Sequence, residues 1–393
     1  MTPPGVVLLG GDTNALAIAR SLGPRGIPVT TLGADDFVGR SRFARAVPGV
    51  PADATAWAEH LLGTAATPLH GSVLLATSDT GITVLLRHRE ALAERFVLDA
   101  CEPTAQAAML DKLATYEAAR AAGVPTPRFW RVDTPDDLER VRDELVYPLI
   151  VKPLFSHEYQ RLFAGRGKFR SVGDPAGLDG AYGDLARAGL SVMLVEKIPG
   201  DDDRLCSYTT YVDASGRPTV DYTKRMVRRR PPGEGLGCYH LTDHVPGVRD
   251  AALRLLTGVG LRGPAAVEFM HDERDGVLKL IECNARFSAA LPLMVAAGLD
   301  LPYHVYRRAL GLPHELPDRY RLGRRLLHPT DDLRSFLALR RAGRMDAAAW
   351  LASLAHRQTF PVWSPRDPAP ALARALARAA RALPTTRPSR VTA

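Results

Sequence analysis

The opening of the chain is a strand, a helix and a second strand, and this order limits the fold more than any other feature. Residues 6–9 (VVLL) form an apolar strand, residues 16–22 carry apolar side chains at helical spacing, and residues 28–33 (PVTTLG) return as a strand. Such a βαβ unit predicts a parallel sheet. The turn GGDTN lacks the G-x-G-x-x-G of dinucleotide-binding proteins, which argues against an oxidoreductase that binds NAD or flavin.

Composition and charge exclude several classes of protein. The 393 residues have the apolar and charged fractions of a soluble globular protein with two or three domains. We find no secretory signal and no apolar run near the ~20 residues of a membrane span, so we expect a cytoplasmic location and no membrane partner. Residues 316–393 contain fifteen Arg and five acidic residues, or +10, which leaves −2 of the total +8 for the first 315 residues. We therefore expect no nucleic-acid partner.

The Arg-rich C-terminal segment contains the sequence PALARALARAARAL, which predicts an amphipathic helix. Leu372, Leu376 and Leu383 lie roughly on one side of this helix. Arg374, Arg378 and Arg381 lie elsewhere on it. Packing of this helix on the body of the protein is favoured over binding to a membrane surface, because the helix has no large aromatic anchor.

A candidate metal site lies in VEFMHDERDGVLKLIECNAR, where two apolar strands flank the turn ERDG. Glu268 is on the first strand, and Glu282 and Asn284 are on the second. Because side chains alternate along a strand, Glu282 and Asn284 face the same way, and the hairpin can bring Glu268 beside them. Two carboxylates and an amide oxygen suit Mg²⁺, whose remaining ligands are water and phosphate oxygens. Three solvent-facing residues on an edge hairpin are the less favoured alternative, since apolar residues flank each one.

Lysine is rare in this chain, with six Lys among 51 basic residues, and two lysines are candidate phosphate contacts. Lys152 stands in the apolar strand LIVKPL, where an unpaired amine is unfavourable unless it faces a charged ligand. Lys112 is in a predicted helix over residues 105–122 and is equally compatible with simple exposure. The strand VMLVEKIPG is a candidate base-binding segment, and the acidic residues 201–203 that follow it could bind ribose hydroxyls.

These motifs and their order resemble the ATP-grasp ligases. The matching elements are a helical D-K, then V-K-P, V-E-K-I-x-G, and V-E-F with I-E-x-N-x-R, over about residues 105–290. The resemblance implies an α/β protein in four parts. These are a Rossmann-like pre-ATP-grasp domain (1–105), a lid subdomain (106–190) and a metal and substrate subdomain (191–315) of an α+β ATP-grasp fold, and a helical C-terminal extension (316–393).

The resemblance also implies roles for single residues. Glu268, Glu282 and Asn284 hold one or two Mg²⁺ or Mn²⁺ ions. Arg286, Lys152 and Arg228 are the expected catalytic residues, with Arg286 stabilising an acyl-phosphate. The remaining contacts to ATP are expected from Lys112, Lys152, Lys168, Glu196, Lys197, Ile198, Asp203 and Lys224.

The chain departs from the family in the expected flap. Relatives carry a Gly/Ser-rich phosphate cover, whereas this chain reads SHEYQRLFAGRGKF, similar to carboxylate–amine ligases and pyrrolysine-pathway relatives. Charged side chains could replace backbone amides there: His157, Arg161, Arg166 or Lys168. Ala285 stands where proline is common, and Cys283 stands where an aliphatic residue is usual.

The implied reaction is ATP-dependent joining of a carboxylate to an amine, with amino acids or a small peptide as substrates and ADP and phosphate as products. A thiol or carbamate-type acceptor, or a nucleotide sensor without catalysis, is the alternative. Relatives are often dimers, so a homodimer is possible. No covalent enzyme nucleophile is needed, and the four scattered cysteines are expected to be free thiols without a catalytic role.

Overall fold

The computed structural model describes residues 3–154 and 169–382, which form three β-sheets with helices packed on them. The first part contains β1 (Val6–Leu9), α1 (Thr13–Leu22), β2 (Val29–Leu32), β3 (Arg45–Ala46), α2 (Ala54–Leu62), β4 (Val73–Ala76), α3 (Asp79–Arg87), α4 (Arg89–Ala93) and β5 (Val97–Leu98). The middle part contains α5 (Pro103–Leu110), α6 (Lys112–Ala121), β6 (Phe129–Val132), α7 (Pro135–Val141), β7 (Leu149–Pro153), β8 (Arg170–Val172), α8 (Pro175–Arg187) and β9 (Val192–Glu196).

The last part contains a three-stranded antiparallel meander and a long hairpin, followed by a mainly helical segment. Its elements are β10 (Leu205–Val212), β11 (Tyr222–Arg230), β12 (Leu236–Thr242), α9 (Val248–Gly258), β13 (Gly263–His271), β14 (Leu278–Asn284), α10 (Leu291–Ala296), α11 (Leu301–Ala309), β15 (Arg325–Leu327), α12 (Pro329–Arg341), α13 (Ala347–Leu354), β16 (Gln358–Thr359) and α14 (Ala369–Ala382). Among the described helices, none combines the length and the apolar character needed to cross a membrane.

The predicted βαβ opening is confirmed, and it begins a five-stranded parallel sheet with the order β3-β2-β1-β4-β5. The turn after β1 contains two glycines with positive φ, and a Cβ at Gly11 would lie 2.8 Å from Asn14 Oδ1. This close approach lets the buried Asn14 amide donate to both Thr77 O and Phe287 O at 2.9 Å. The GGDTN sequence therefore joins the carboxyl ends of β1 and β4 to the segment that follows β14.

A four-stranded antiparallel sheet with the order β6-β9-β7-β8 forms the second unit. Helices α7 and α8 cover one face through a cluster that includes Leu138 and Leu185, and α6 covers the other through Leu113 and Tyr116. Thr134 caps α7 in a capping box with Asp137. Because β9 pairs with β6 and β7, this sheet extends past the predicted boundary at residue 190.

The third sheet has seven strands in the order β14-β13-β10-β11-β12-β15-β16. One face packs on α5, α6 and α9 through Val267, Phe269 and Cys283. The opposite face carries the polar candidate residues described below. Strands β15 and β16 come from the C-terminal segment, which is therefore part of the sheet as well as helical.

The single helix predicted over residues 105–122 is divided into α5 and α6. Asp111 leaves the helical conformation and accepts hydrogen bonds from Leu113 N and Ala114 N, which caps α6. Lys112 is consequently the first residue of α6 and does not lie in the middle of a helix.

Candidate active site

The hairpin of β13 and β14 places the three predicted metal ligands side by side. Glu268 lies directly opposite Glu282, and Ala266 lies opposite Asn284. Asn284 Nδ2 donates to Glu282 Oε1 at 3.1 Å. The arrangement offers two carboxylates and an amide oxygen on one face of the seven-stranded sheet.

A β-bulge at Ile281 brings the two carboxylates to the same face. Phe269 pairs with Leu280, but Glu268 pairs with Glu282, so Ile281 is one extra residue in β14. In an uninterrupted register Glu282 would lie opposite Val267, on the face away from Glu268. The Tyr116 hydroxyl donates to the Ile281 carbonyl at 3.0 Å, which satisfies an acceptor within the bulge.

The same face continues as a polar row across two further strands. Ser207 on β10 lies opposite Glu268, and Lys224 on β11 lies opposite Ser207. The Lys224 side chain is only 4% exposed. Ser207 Oγ is buried and has no hydrogen-bonding partner in the part of the chain that the structure describes. Two carboxylates, a hydroxyl and an amine therefore follow one another in one row across four strands.

Lys152 and Lys112 approach this row from the four-stranded sheet and α6. Lys152 is 9% exposed, and its Nζ lies 5.9 Å from the centre of the Tyr116 ring. Burial lowers the pKa of Lys152 to about 8, the positive charge of Lys112 acts in the same direction, and Glu282 opposes both. Lys112 Nζ donates to Leu154 O at 3.4 Å. The two amines and the Glu282 carboxylate thus share one electrostatic environment.

An apolar patch borders the polar row on the same side of the sheet. Ile198, Leu205, Met226 and Met270 form a buried cluster, with Ile281 partly buried against it. Apolar side chains next to charged groups are typical of sites that bind a flat ring attached to an anionic chain. Of the three residues predicted to frame adenine, Ile198 contributes its side chain to this patch.

The other residues that were predicted to contact the base and the ribose have different surroundings in the structure. Glu196 accepts hydrogen bonds from Arg128 N at 3.2 Å and Arg274 Nη1 at 2.5 Å. Lys197 Nζ pairs with Glu234 at 2.7 Å, and its backbone N–H donates to Pro148 O. These contacts hold the exit of β9. Asp203 is exposed at the turn before β10.

Arg286 lies where the five-stranded sheet meets the hairpin. Its Nε pairs with Asp79 Oδ1 at 2.6 Å, at the start of α3. Burial acts to lower the pKa of Arg286, but Asp79, Glu282 and Asp12 raise it overall. The guanidinium is thus held charged between the N-terminal sheet and the carboxylates of the hairpin.

Arg228 is not part of this group. Met226 pairs with His240 and Arg228 with Tyr239, so a bulge turns Arg228 to the face opposite Lys224. Its guanidinium binds both oxygens of Asp332 on α12, at 2.7 and 3.1 Å, and lies over the Tyr239 ring. This placement favours a structural role for Arg228, in contrast to the catalytic role expected from the sequence.

The predicted flap contacts lie outside the described residues: His157, Arg161, Arg166 and Lys168. Sequence reasoning missed Ser207, Tyr116 and the members of the apolar patch other than Ile198. The even spacing of Leu205 and Ser207 along β10 is a signal for that face, but only the strand register joins it to the metal hairpin.

Comparisons with known proteins find a similarity in sequence to a ligase and a similarity in fold to a ligase and a carboxylase. No protein-family model matches it. A D-aspartate ligase of Enterococcus faecium is 25% identical over 312 residues, covering 75% of this chain and 74% of that protein. Several solved structures share the fold, among them a ligase and a carboxylase domain. An L-amino acid ligase from Bacillus licheniformis has a TM-score of 0.62 at 18% identity and covers 80% of this chain and 76% of its own. The biotin carboxylase domain of Hydrogenobacter thermophilus 2-oxoglutarate carboxylase was solved with MgADP. It has a TM-score of 0.64 at 17% identity, and the match covers 83% of this chain and 74% of that chain.

Proposed function

We propose that this chain, an ATP-grasp ligase, activates a carboxylate with ATP as an acyl-phosphate and joins the acyl group to an amine. The observation that carries the proposal is the convergence of oxygen ligands, amines and a guanidinium beside an apolar patch. The similarity to a D-aspartate ligase and the fold shared with an L-amino acid ligase support the same reaction class. A sensor that only binds nucleotide is not favoured, because such a sensor has no need for Arg286 beside the phosphate site.

The donor set of the hairpin fits a hard divalent cation. Glu268, Glu282 and Asn284 would hold Mg²⁺, because carboxylate and amide oxygens on one face leave its other positions to water and phosphate. When bound, the ion neutralises charge on the phosphates and orients them for transfer. Mn²⁺ accepts the same oxygen ligands.

The lysines neutralise the phosphate chain of ATP. Lys152 is buried and faces Glu282, so a phosphate oxygen gives its amine the ionic partner that offsets desolvation. Lys112 and Lys224 approach from the α6 start and from β11. The cluster around Met226 and Met270 packs on the base, and the backbone at the exit of β9 lies at its edge.

The reaction consists of two displacements. A carboxylate oxygen of the first substrate attacks the γ-phosphorus, and ADP leaves. The amine nitrogen of the second substrate then attacks the acyl carbon, loses a proton and expels phosphate. Arg286 donates hydrogen bonds to the oxygens that gain charge at the acyl centre, and its ion pair with Asp79 fixes its direction. The protein contributes positioning and charge stabilisation, not a covalent nucleophile.

The proposed substrates are amino acids or a small peptide for both the carboxylate and the amine. A thiol or carbamate-type acceptor would require the same activation step and a different second substrate. ADP release can be followed in a coupled assay with pairs of amino acids and peptides. We expect at least one pair to stimulate ADP release in the wild type and in Glu273→Gln, which changes a carboxylate in the turn of the same hairpin, outside the cluster. Absence of stimulation by every carboxylate and amine pair would count against the proposal.

A further inference from the structure

Helix α14 packs on the rest of the protein, as the sequence favours, but not through the side that carries its leucines. Leu372 and Leu376 are 59% and 72% exposed. Arg374 is half-buried, and Ala371 and Ala373 make the apolar contacts to the core of the N-terminal sheet. A helix held only by apolar burial would turn its leucines inward. Another interaction must therefore favour this orientation.

The segment before α14 fixes the position of Arg374. Asp367 is buried and accepts hydrogen bonds from Arg20 Nε at 2.9 Å and Ser41 Oγ at 2.7 Å. The guanidinium of Arg374 lies over the ring of Phe37, with Cζ 5.1 Å from the ring centre. A guanidinium stacked in this way keeps its N–H groups, which lie in its own plane, available to a planar anion.

Arg374 has no hydrogen-bonding or ion-pair partner in residues 3–154 and 169–382, whereas Arg378 one turn later pairs with Asp331 at 3.6 Å. Burial lowers the pKa of Arg374, and Arg378 adds to this effect, while Asp12 and other nearby carboxylates oppose it. A partly desolvated guanidinium without hydrogen bonds is unfavourable. The N–H groups of Arg374 thus remain available to hydrogen-bond an anionic ligand.

The position of Arg374 is at the carboxyl edge of the parallel sheet. Asp35, Asp12 and Asp79 follow β2, β1 and β4, which are neighbours in that sheet. The strand order changes direction between β1 and β4, and open α/β sheets bind ligands in the crevice at such a point. Arg286 pairs with Asp79 after β4, and Arg374 lies over the ring of Phe37 after β2, so the two arginines lie on either side of the end of β1. The two guanidiniums therefore lie near one crevice, which the acyl centre would border.

We propose that Arg374 binds a carboxylate of the substrate other than the one that is activated, so that the enzyme selects an acidic amino acid or another small dicarboxylate. This inference rests on the proposed function. Arg286 donates hydrogen bonds to the reacting acyl group, and Arg374 binds the second anionic group farther along the same crevice.

Binding of aspartate and of asparagine to the full chain with MgADP tests this assignment, because the two amino acids have nearly the same shape and differ in charge. Both enantiomers of each are titrated by calorimetry into the wild type, Arg374→Ala, Arg374→Lys and Arg378→Ala. We expect the wild type to bind one aspartate enantiomer at least about tenfold more tightly than asparagine. Arg374→Ala should remove the preference, Arg374→Lys should retain part of it, and Arg378→Ala should keep it.

Three results would overturn the inference: binding of neither amino acid, equal binding of both by the wild type, or equal loss in Arg374→Ala and Arg378→Ala. ADP release measured on the same samples distinguishes a failure of the Arg374 subsite from a failure of the proposed ligase function. Turnover with neutral amino acids at a rate unaffected by Arg374→Ala would refute the subsite and leave the ligase intact. Selective aspartate binding without ADP release for any amine would refute the ligase and leave the subsite.

Discussion

Lys152 has a charge that the fold tolerates and the reaction requires, so its removal should stabilise the protein and inactivate it. The amine is buried next to Lys112, and its pKa is lowered from 10.5 to about 8. The difference of 10.5 − 8, or about 2.5, corresponds to about 3 kcal/mol at 1.36 kcal/mol for each pKa unit. Lys152→Met retains the length of the side chain and removes the charge. We expect its free energy of unfolding at pH 7 to rise by up to about 3 kcal/mol.

The size of this effect depends on pH. Between pH 8 and 10.5 the unfolded chain holds the Lys152 proton and the folded chain does not, so the stability of the wild type rises across this window. Below pH 8 the full penalty is present. The advantage of Lys152→Met should therefore be greatest at pH 7 and disappear as the pH approaches 10.5.

Urea unfolding of the apo protein at pH 7 and pH 10, followed by tryptophan fluorescence, measures the difference. Trp130 on β6 reports on the sheet that contains Lys152. Lys279→Met is a control of opposite sign, because Lys279 pairs with Asp272 at 2.6 Å, its pKa is raised, and its loss should destabilise. The reasoning is refuted if Lys152→Met is no more stable than the wild type at pH 7, or if it still releases ADP at the wild-type rate.

Three further substitutions test other parts of the site. Arg228→Met should lower the free energy of unfolding by about 3–5 kcal/mol, because Asp332 is left buried without its ionic partner. The kcat per folded molecule should stay within about twofold of the wild type. A large loss of kcat without a loss of stability in urea would contradict the structural role. Tyr116→Phe removes the donor to the Ile281 carbonyl and should cost about 1–3 kcal/mol; an unchanged Tm would argue against this contact. Arg286→Lys should lower kcat in the ADP-release assay by about 10²-fold with KM for ATP nearly unchanged; an unaltered kcat would exclude Arg286 from the acyl centre.

The sequence predicted the parts of the fold that depend on local patterns. The βαβ opening and the hairpin around ERDG are confirmed, because apolar strands and turn residues specify them without long-range information. The resemblance to ATP-grasp ligases is confirmed by the comparisons, since it depended on motif order over nearly 200 residues and not on one motif.

Strand register was harder to predict, since a single extra residue reverses the faces of a strand. Regular alternation along β11 would place Lys224 and Arg228 on one face, but the bulge after Met226 separates them. The bulge at Ile281 had a visible signal. Leu280 and Cys283 are both core residues although they are three apart, an odd spacing that regular alternation forbids.

The orientation of α14 depends on charges that lie far away in the sequence. An amphipathic helix commonly buries its apolar side, but α14 packs beside the carboxyl edge of the parallel sheet, where Asp12 and Asp35 favour the charge of Arg374. No local pattern in residues 369–382 contains this information.

The central claim is that the hairpin carboxylates and amide hold the metal ion that accompanies ATP. The most direct test is the rate of ATP cleavage by the double variant Glu282→Gln with Asn284→Ala, compared with Glu273→Gln in the same hairpin. We expect the double variant, folded by circular dichroism, to lose at least about 10²-fold in rate while the control stays near the wild type. ATP cleavage at the wild-type rate by the double variant would contradict the account.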